Sequence, residues 1–568
     1  MSLAAVASSS WGVLRRTPQT PPRLGRSESV LAALLLPLLL ASTTQSADPD
    51  AEYRDSLELV YQGHVDTALA RLRAAADADP ADPMAAYVLA LALCWKIEQR
   101  PETEELDREL QAKAANAVAR ADATLERTPD DVRALFARGA AWGALSRYHL
   151  FRLHRSDAAR SAVRMREDLT RVRQLDPLHH DALFGLGLYD YYADVLPRAA
   201  KLIRFLARIP GGDRHRGLAS IEDAGARSTF HRTEARVQLY EIYAFYEEQP
   251  GRAMDQLDEL RRLYPTHPLW ALKAVEHLRA RLGAYADAVA AGREILARAA
   301  GGEPNYRGPW VPALARLEMG HALVSDLRPA EARPVLLAVV KDGVPGSAAV
   351  AARARYLLGR SLEMEGDREG ALAHYRLAAG GADKEWRTRA NAAVSTPIPP
   401  ARVRALAALG EARRRREAKR EPWRRESDPE NQRGRIHSGG ANDAILLARE
   451  ALRHWPQSME AALTLVEERL VAGDAKGALA AWPRPDPRQQ AETPWLRPWE
   501  GLLVGERLDL EGRREEAVQQ YKKVLQDPFR RADLQERAEA GIKRLFHPSA
   551  GHGRFRSPRV ISTALSTT

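Results

Sequence analysis

The segment with the clearest chemical potential is a glycine-rich loop, Gly211–Gly217, which contains Asp213, Arg214, His215 and Arg216. Backbone N–H groups of such a loop, together with the start of a following helix, could bind a phosphate. The glycine spacing is not that of a Walker motif, and no Lys-Ser or Lys-Thr pair follows. We therefore favour a tight turn in which Asp213 caps the next helix.

Other candidate chemical groups are weaker. His179–Asp181 places two histidines side by side, but adjacent side chains on a helix point apart and no further ligand follows one turn later. We interpret this cluster as the start of a helix. The sequence has no serine-hydrolase, zinc-protease or dinucleotide-binding motif. We expect no catalytic residue, no metal site and no cofactor, and we interpret the chain as not an enzyme.

Composition and charge limit the function further. The chain has 568 residues, a net charge of +10 and one cysteine, Cys94, so it can form no intramolecular disulfide. We expect Cys94 to be a small core residue. The basic excess lies in residues 1–47, 401–440 and 547–568, which leaves a nearly neutral body. This distribution argues against nucleic acid as a partner.

The elements that must position any site are repeated helix pairs, for which the abundant Leu, Ala and Arg are suited. The clearest unit has Gly359, Leu362, Gly366, Ala371, Tyr375 and Ala378, and a second has Gly505, Leu508, Gly512, Ala517, Tyr521 and Val524, closed by Pro528. Small residues let the paired helices cross closely, and large residues fill the gaps between them. Weaker copies bring the total to about nine or ten pairs.

These segments resemble the tetratricopeptide repeat (TPR) family over most of residues 50–546. The resemblance implies an all-α, α-α superhelical solenoid of about nine or ten helix pairs, whose concave face, lined mainly by first helices, binds peptides or protein surfaces. A shorter segment, GLGLYDYYADVLPRAAKLIRFLARIPGGDRHRG, is similar to the eukaryotic tetratricopeptide family that includes a yeast inclusion-body clearance protein.

Departures from the repeat pattern predict the domain organisation. We expect a targeting segment at 1–47, a solenoid at 48–400 with an extra helix and loop at 197–217, a helix and charged flexible tract at 401–440, further repeats with a capping helix at 441–546, and a disordered tail at 547–568. The role of the tract at 418–440 is open.

The N-terminal segment resembles an export signal. Arginines precede the apolar run Val30–Ala41, which is short for a membrane span and is followed by the small polar stretch Ser42–Ala47. We expect an exported protein, periplasmic or extracytoplasmic. The alternatives are a mitochondrial presequence, since the leader is rich in Ser and Arg, or an uncleaved membrane anchor.

Aromatic side chains form the candidate binding site. Counting from the small residue of each first helix, the positions that would face the groove carry Trp95, Tyr191, Tyr192, Phe245 and Tyr246, and Phe136 and Phe184 would face the same way. Rigid aromatics often anchor binding partners. The competing interpretation is that these side chains pack against neighbouring repeats.

Three functional hypotheses remain from the sequence. The first is a non-catalytic scaffold or adaptor that binds an unidentified protein or peptide partner in the concave groove. The second is a membrane-tethered envelope assembly or stress factor. The third, which we favour least, is an enzyme with a cryptic site near residues 211–217.

Overall fold

The computed structural model describes residue 48 and residues 50–99, 104–195, 210–343, 347–424, 440–483 and 493–546. Across these ranges it contains 24 α-helices and no strand, which confirms the predicted all-α repeat fold. The predicted leader and tail, most of the extra segment at 197–217 and most of the charged tract at 418–440 lie outside the described residues. Within the described ranges, no helix has the length and apolar character needed to cross a bilayer.

The chain divides into two compact units. The first contains residues up to 239 together with 262–268, and the second contains 240–261 and the residues from 269 onward. The helices of the first unit are α1 Ala51–Tyr61, α2 Val65–Ala78, α3 Pro83–Gln99, α4 Asp107–Leu125, α5 Val132–Phe151, α6 Arg155–Leu175, α7 His180–Val195 and α8 Arg214–Arg227. The next helix, α9 Arg232–Phe245, begins in the first unit and ends in the second, and most of α10 Pro250–Leu263 lies in the second unit.

The remaining helices belong to the second unit. They are α11 Pro268–Ala280, α12 Tyr285–Ala300, α13 Trp310–Ser325, α14 Pro329–Asp342, α15 Ala348–Met364, α16 Arg368–Ala379, α17 Lys384–Ser395, α18 Pro400–Arg424, α19 Gly440–His454, α20 Met459–Val471, α21 Ala475–Ala481, α22 Arg497–Leu510, α23 Arg514–Gln526 and α24 Ala532–Lys543. Successive helices pack in pairs, as α5 does with α6 and α15 with α16.

A left-handed backbone residue ends the first helix of many pairs. Gly366 and Gly512 take φ values of +89° and +77° in these turns, which is a conformation that glycine adopts without strain. The predicted place of Gly366 in the turn is therefore confirmed. Leu153, Glu248 and Leu327 adopt positive φ at the same place in three other pairs.

Close helix crossings follow the predicted register. A Cβ atom added to Gly359 would lie 2.6 Å from the Tyr375 ring, and one added to Gly505 would lie 2.5 Å from the Tyr521 ring. Each tyrosine therefore occupies the space that its glycine leaves, because no larger residue would fit there. The predicted positions of small and large residues are therefore confirmed in both of these helix pairs.

Candidate functional site

Three of the predicted groove residues are buried in the first unit. Trp95, Phe136 and Tyr191 retain 6%, 3% and 0% of their surface. A side chain that is already covered offers little new surface to a partner, so the structure corrects the prediction for these three residues. They pack within the fold, as the competing interpretation from the sequence held.

Trp95 belongs to a buried network around Glu234 on α9. The Glu234 carboxylate accepts hydrogen bonds from the Tyr61 hydroxyl at 3.0 Å and the Trp95 indole N–H at 2.6 Å. Arg147 donates to its second oxygen at 3.0 Å and binds Glu98 through two bonds of 2.7 Å. Burial and the Glu234 carboxylate raise the pKa of Tyr61 well above its ordinary value, so Tyr61 remains a proton donor.

A second network surrounds His231, immediately before α9. Its Nε2 lies 2.5 Å from the Tyr87 hydroxyl, and the ring of Phe184 stacks on it with centroids 4.9 Å apart. The His231 ring also packs edge-to-face with the Phe136 ring, and the centroids of these two rings are 5.8 Å apart. Phe184, which is half-buried, therefore also serves the packing of the first unit.

Asp181 fixes the start of α9 beneath this network. Its carboxylate accepts the backbone N–H groups of Thr229, Phe230 and His231 at 2.7–2.9 Å. Burial raises the pKa of Asp181, but its bonds to His231 and to these backbone groups outweigh burial and lower the pKa to about 2. The cluster at His179–Asp181 is thus a helix start, as predicted, with Asp181 also bonding to the residues before α9.

The networks explain why the expected aromatic groove is filled in the first unit. Tyr61 on α1 and Tyr87 on α3 form hydrogen bonds with residues at the start of α9. The first helices of helix pairs that are distant in the sequence are therefore in direct side-chain contact. Tyr61 also contacts Tyr264 with ring centroids 5.7 Å apart. Tyr192 is half-buried, and its hydroxyl lies 3.4 Å from Gln238 Oε1. These contacts bury the inward aromatics within the repeats themselves.

The remaining two candidates lie in the second unit and are more accessible. Phe245 and Tyr246, at and just beyond the end of α9, expose 39% and 37% of their surface. The Arg281 guanidinium lies 4.5 Å from the Phe245 ring centroid, which is a cation–π contact. Their proposed role as binding anchors stays a prediction.

A cleft of about 680 Å³ lies in the second unit close to Phe245. Its walls are Ala244, Glu248, Pro250, Ala280, Arg281, Met459, Thr493, Pro494, Trp495, Arg497 and Phe529. Arg497 lies 5.5 Å from the Phe529 ring centroid and binds the Asp527 carboxylate at 2.6 Å. The cleft therefore combines aromatic walls with positioned guanidinium groups.

Most of this cleft could not be predicted from the sequence. Its walls come from segments that lie far apart in the chain, and repeat periodicity carries no signal for contacts between them. Gly283 is the partial signal that the sequence contains. In the structure its φ is +60°, and a Cβ there would lie 2.6 Å from Trp495. A glycine at that position lets the tryptophan lie directly against the backbone.

The glycine-rich loop has a structural role in the described residues. Asp213 caps α8 by accepting the Arg216 N–H at 2.8 Å, as predicted. Asp194 accepts the neighbouring Arg214 N–H at 3.1 Å, and Arg216 binds Asp190. A Cβ on Gly217 would lie 2.4 Å from the Tyr191 backbone nitrogen. Carboxylates of the chain thus already occupy N–H groups that a phosphate would use.

Comparisons with known proteins agree with the repeat pattern. A tetratricopeptide repeat family model matches residues 53–93 and 317–385. A sequence search against curated proteins finds no match.

Solved structures similar to this chain include TPR proteins, each with 12% sequence identity. The match to the TPR domain of P58(IPK) covers 88% of this chain and 98% of that chain, with a TM-score of 0.19. The match to yeast Tom70 covers 86% of this chain and 99% of that chain, with a TM-score of 0.25. The match to Naa15/Naa10 bound to HypK-THB covers 87% of this chain and 94% of that chain, with a TM-score of 0.21. Because these TM-scores are low, the similarity to the TPR family rests on the matched segments and on the helix pairs themselves.

Proposed function

Because the chain contains segments that match the tetratricopeptide repeat, we propose that it is a non-catalytic scaffold or adaptor that holds a segment of another protein. The observation that carries this proposal is the 680 Å³ cleft of the second unit. A concave site of this size accommodates several side chains of a bound segment.

The chemistry of the cleft walls suits a peptide. Trp495, Phe529 and Met459 offer apolar surface, and Arg281 offers a directional hydrogen-bond donor beside it. Tryptophan and arginine are enriched among the residues that dominate protein interfaces. Arg281, a residue of the cleft wall, lies over the Phe245 ring. Phe245 therefore lies at the edge of the cleft and extends its apolar surface.

The proposal is tested by selecting peptides from a displayed library on the purified protein and measuring their affinity for variants. Phe529→Ala and Arg281→Glu should each weaken binding by roughly tenfold or more, the effect of removing an interface anchor. Leu377→Ala is the matched control, because Leu377 is an exposed apolar residue of the same unit outside the cleft walls. If no peptide is selected, or if the cleft variants bind as tightly as the control, the proposal fails.

The membrane-tethered assembly factor remains the second candidate, and it separates from the first by the state of the leader. Export with removal of residues 1–47 is part of our proposal, and intact mass of the exported form tests it. A mature chain that starts near Asp48 supports a free scaffold, whereas a chain that retains Val30–Ala41 favours the tethered factor.

A further inference from the structure

The turn between α5 and α6 brings together three potential metal ligands that the sequence analysis did not connect. His149 lies near the end of α5, His154 precedes α6, and Asp157 lies in the first turn of α6. One ligand atom from each of these side chains lies within 4.8 Å of the other two. We propose that these residues bind a zinc ion, although we expected no metal site from the sequence.

The backbone of the turn holds the two histidines close together. Leu153 takes a φ of +61°, and the His154 N–H then donates to the His149 carbonyl at 2.7 Å. The His154 side chain makes no capping bond to α6, so its imidazole is not needed to start the helix. The ring centroids of His149 and His154 are 6.0 Å apart.

One ring nitrogen of His149 is available to a metal ion. The Nδ1 of His149 is buried and has no hydrogen-bond partner among the described residues. Binding a metal would give this buried nitrogen the partner that it lacks.

The donor set indicates the class of metal. Two imidazoles and one carboxylate, with a further position left for water, are typical ligands of zinc, whereas magnesium prefers oxygen ligands. Ligand atoms of a tetrahedral zinc ion lie roughly 3–3.5 Å apart, so atoms that are now up to 4.8 Å apart need to approach one another by up to about 1.5 Å. Asp157 also contacts Arg160, but this pair is largely exposed and contributes little that would oppose binding.

The equivalent turn between α1 and α2 provides a control within the same chain. There His64 corresponds to His154, but Leu59 and Thr67 stand where His149 and Asp157 stand in the proposed site. A single exposed histidine at this turn is thus present without its partners. Its replacement should leave zinc binding unchanged.

The test uses the full chain produced without a polyhistidine tag and freed of metal by chelation. Titration calorimetry with zinc chloride should show one ion per chain, and zinc should raise the melting temperature. His149→Ala and His154→Ala should each weaken binding at least about tenfold, while His64→Ala should not. Magnesium chloride should give no comparable signal.

Folding is checked on each variant by far-ultraviolet circular dichroism, and exposed His154 carries the least risk. Two outcomes would overturn the proposal. One is the absence of saturable zinc binding. The other is binding that persists at full strength in the folded His154→Ala variant.

Discussion

Glu234 shows how a charged residue can organise a helical repeat. It is only 2% exposed, and Tyr61, Trp95 and Arg147 all donate hydrogen bonds to its carboxylate. A buried carboxylate is costly unless such partners surround it. The network therefore makes the contacts among α1, α3, α5 and α9 specific, because other arrangements would leave the charge unsatisfied.

Glu234→Ala should lower the free energy of unfolding by about 3–5 kcal/mol, because it leaves buried donors and part of the Arg147 charge without a partner. Urea unfolding followed by circular dichroism measures the effect. The control is Glu52→Ala, which removes an exposed acid from α1. An equal urea midpoint for the two variants would show that the network contributes no stability.

His277 should make the stability of the second unit sensitive to acid. Burial lowers its pKa to about 4; its Nε2 bond to the Pro250 carbonyl opposes this shift, while Arg281 and Lys273 add to it. The unfolded chain, with an ordinary pKa near 6.5, binds this proton first as the pH falls. Stability from this residue is thus present above pH 6.5 and decreases by up to about 3 kcal/mol toward pH 4.

Urea midpoints measured between pH 7 and pH 4 test this expectation. His277→Gln retains an amide donor for the Pro250 carbonyl but does not titrate. It should therefore flatten the loss of stability with falling pH. The same slope in the variant and the wild type would assign the acid sensitivity to other groups.

At the scale of elements, two helix pairs share one hydrogen-bonding pattern. Tyr375 donates to Glu363 on the preceding helix at 2.8 Å, and Tyr521 donates to Asp509 at 2.9 Å. An arginine at the start of each second helix, Arg368 or Arg514, binds the same acid and also reaches carbonyls at the end of the following helix. This pattern ties each pair to the helix after it.

Ala371→Tyr should destabilise the α15–α16 pair by roughly 1–3 kcal/mol, because a large side chain would force this close crossing apart. Ala371 is fully buried, and its carbonyl would lie 3.1 Å from a Cβ on Gly359. Thermal unfolding gives the measurement, with Leu377→Tyr as the exposed control on α16. A neutral Ala371→Tyr variant would contradict the packing described here.

The sequence could predict these elements because their signals are local. Gly359, Ala371 and Tyr375 lie within two adjacent helices, so helical periodicity and residue size determine their register. The buried state of Trp95 could not be predicted in the same way. It depends on where α9, which carries Glu234, comes to lie, and the repeat pattern does not encode that.

At the scale of the whole molecule, the two units contribute differently to the proposed function. In the first unit, inward aromatics such as Trp95 and Tyr191 are used for internal packing. In the second unit, the cleft and the exposed parts of Phe245 and Tyr246 remain available. We therefore propose that a partner binds to the second unit and that the aromatics of the first unit serve mainly in packing.

Hydrogen exchange on the complex with a selected peptide tests this central assignment most directly. Bound peptide shields backbone amides from solvent and stabilises the segments it contacts. Protection should be concentrated at the cleft segments, residues 244–250, 280–281, 493–497 and 529. Protection confined to residues of the first unit would contradict the account.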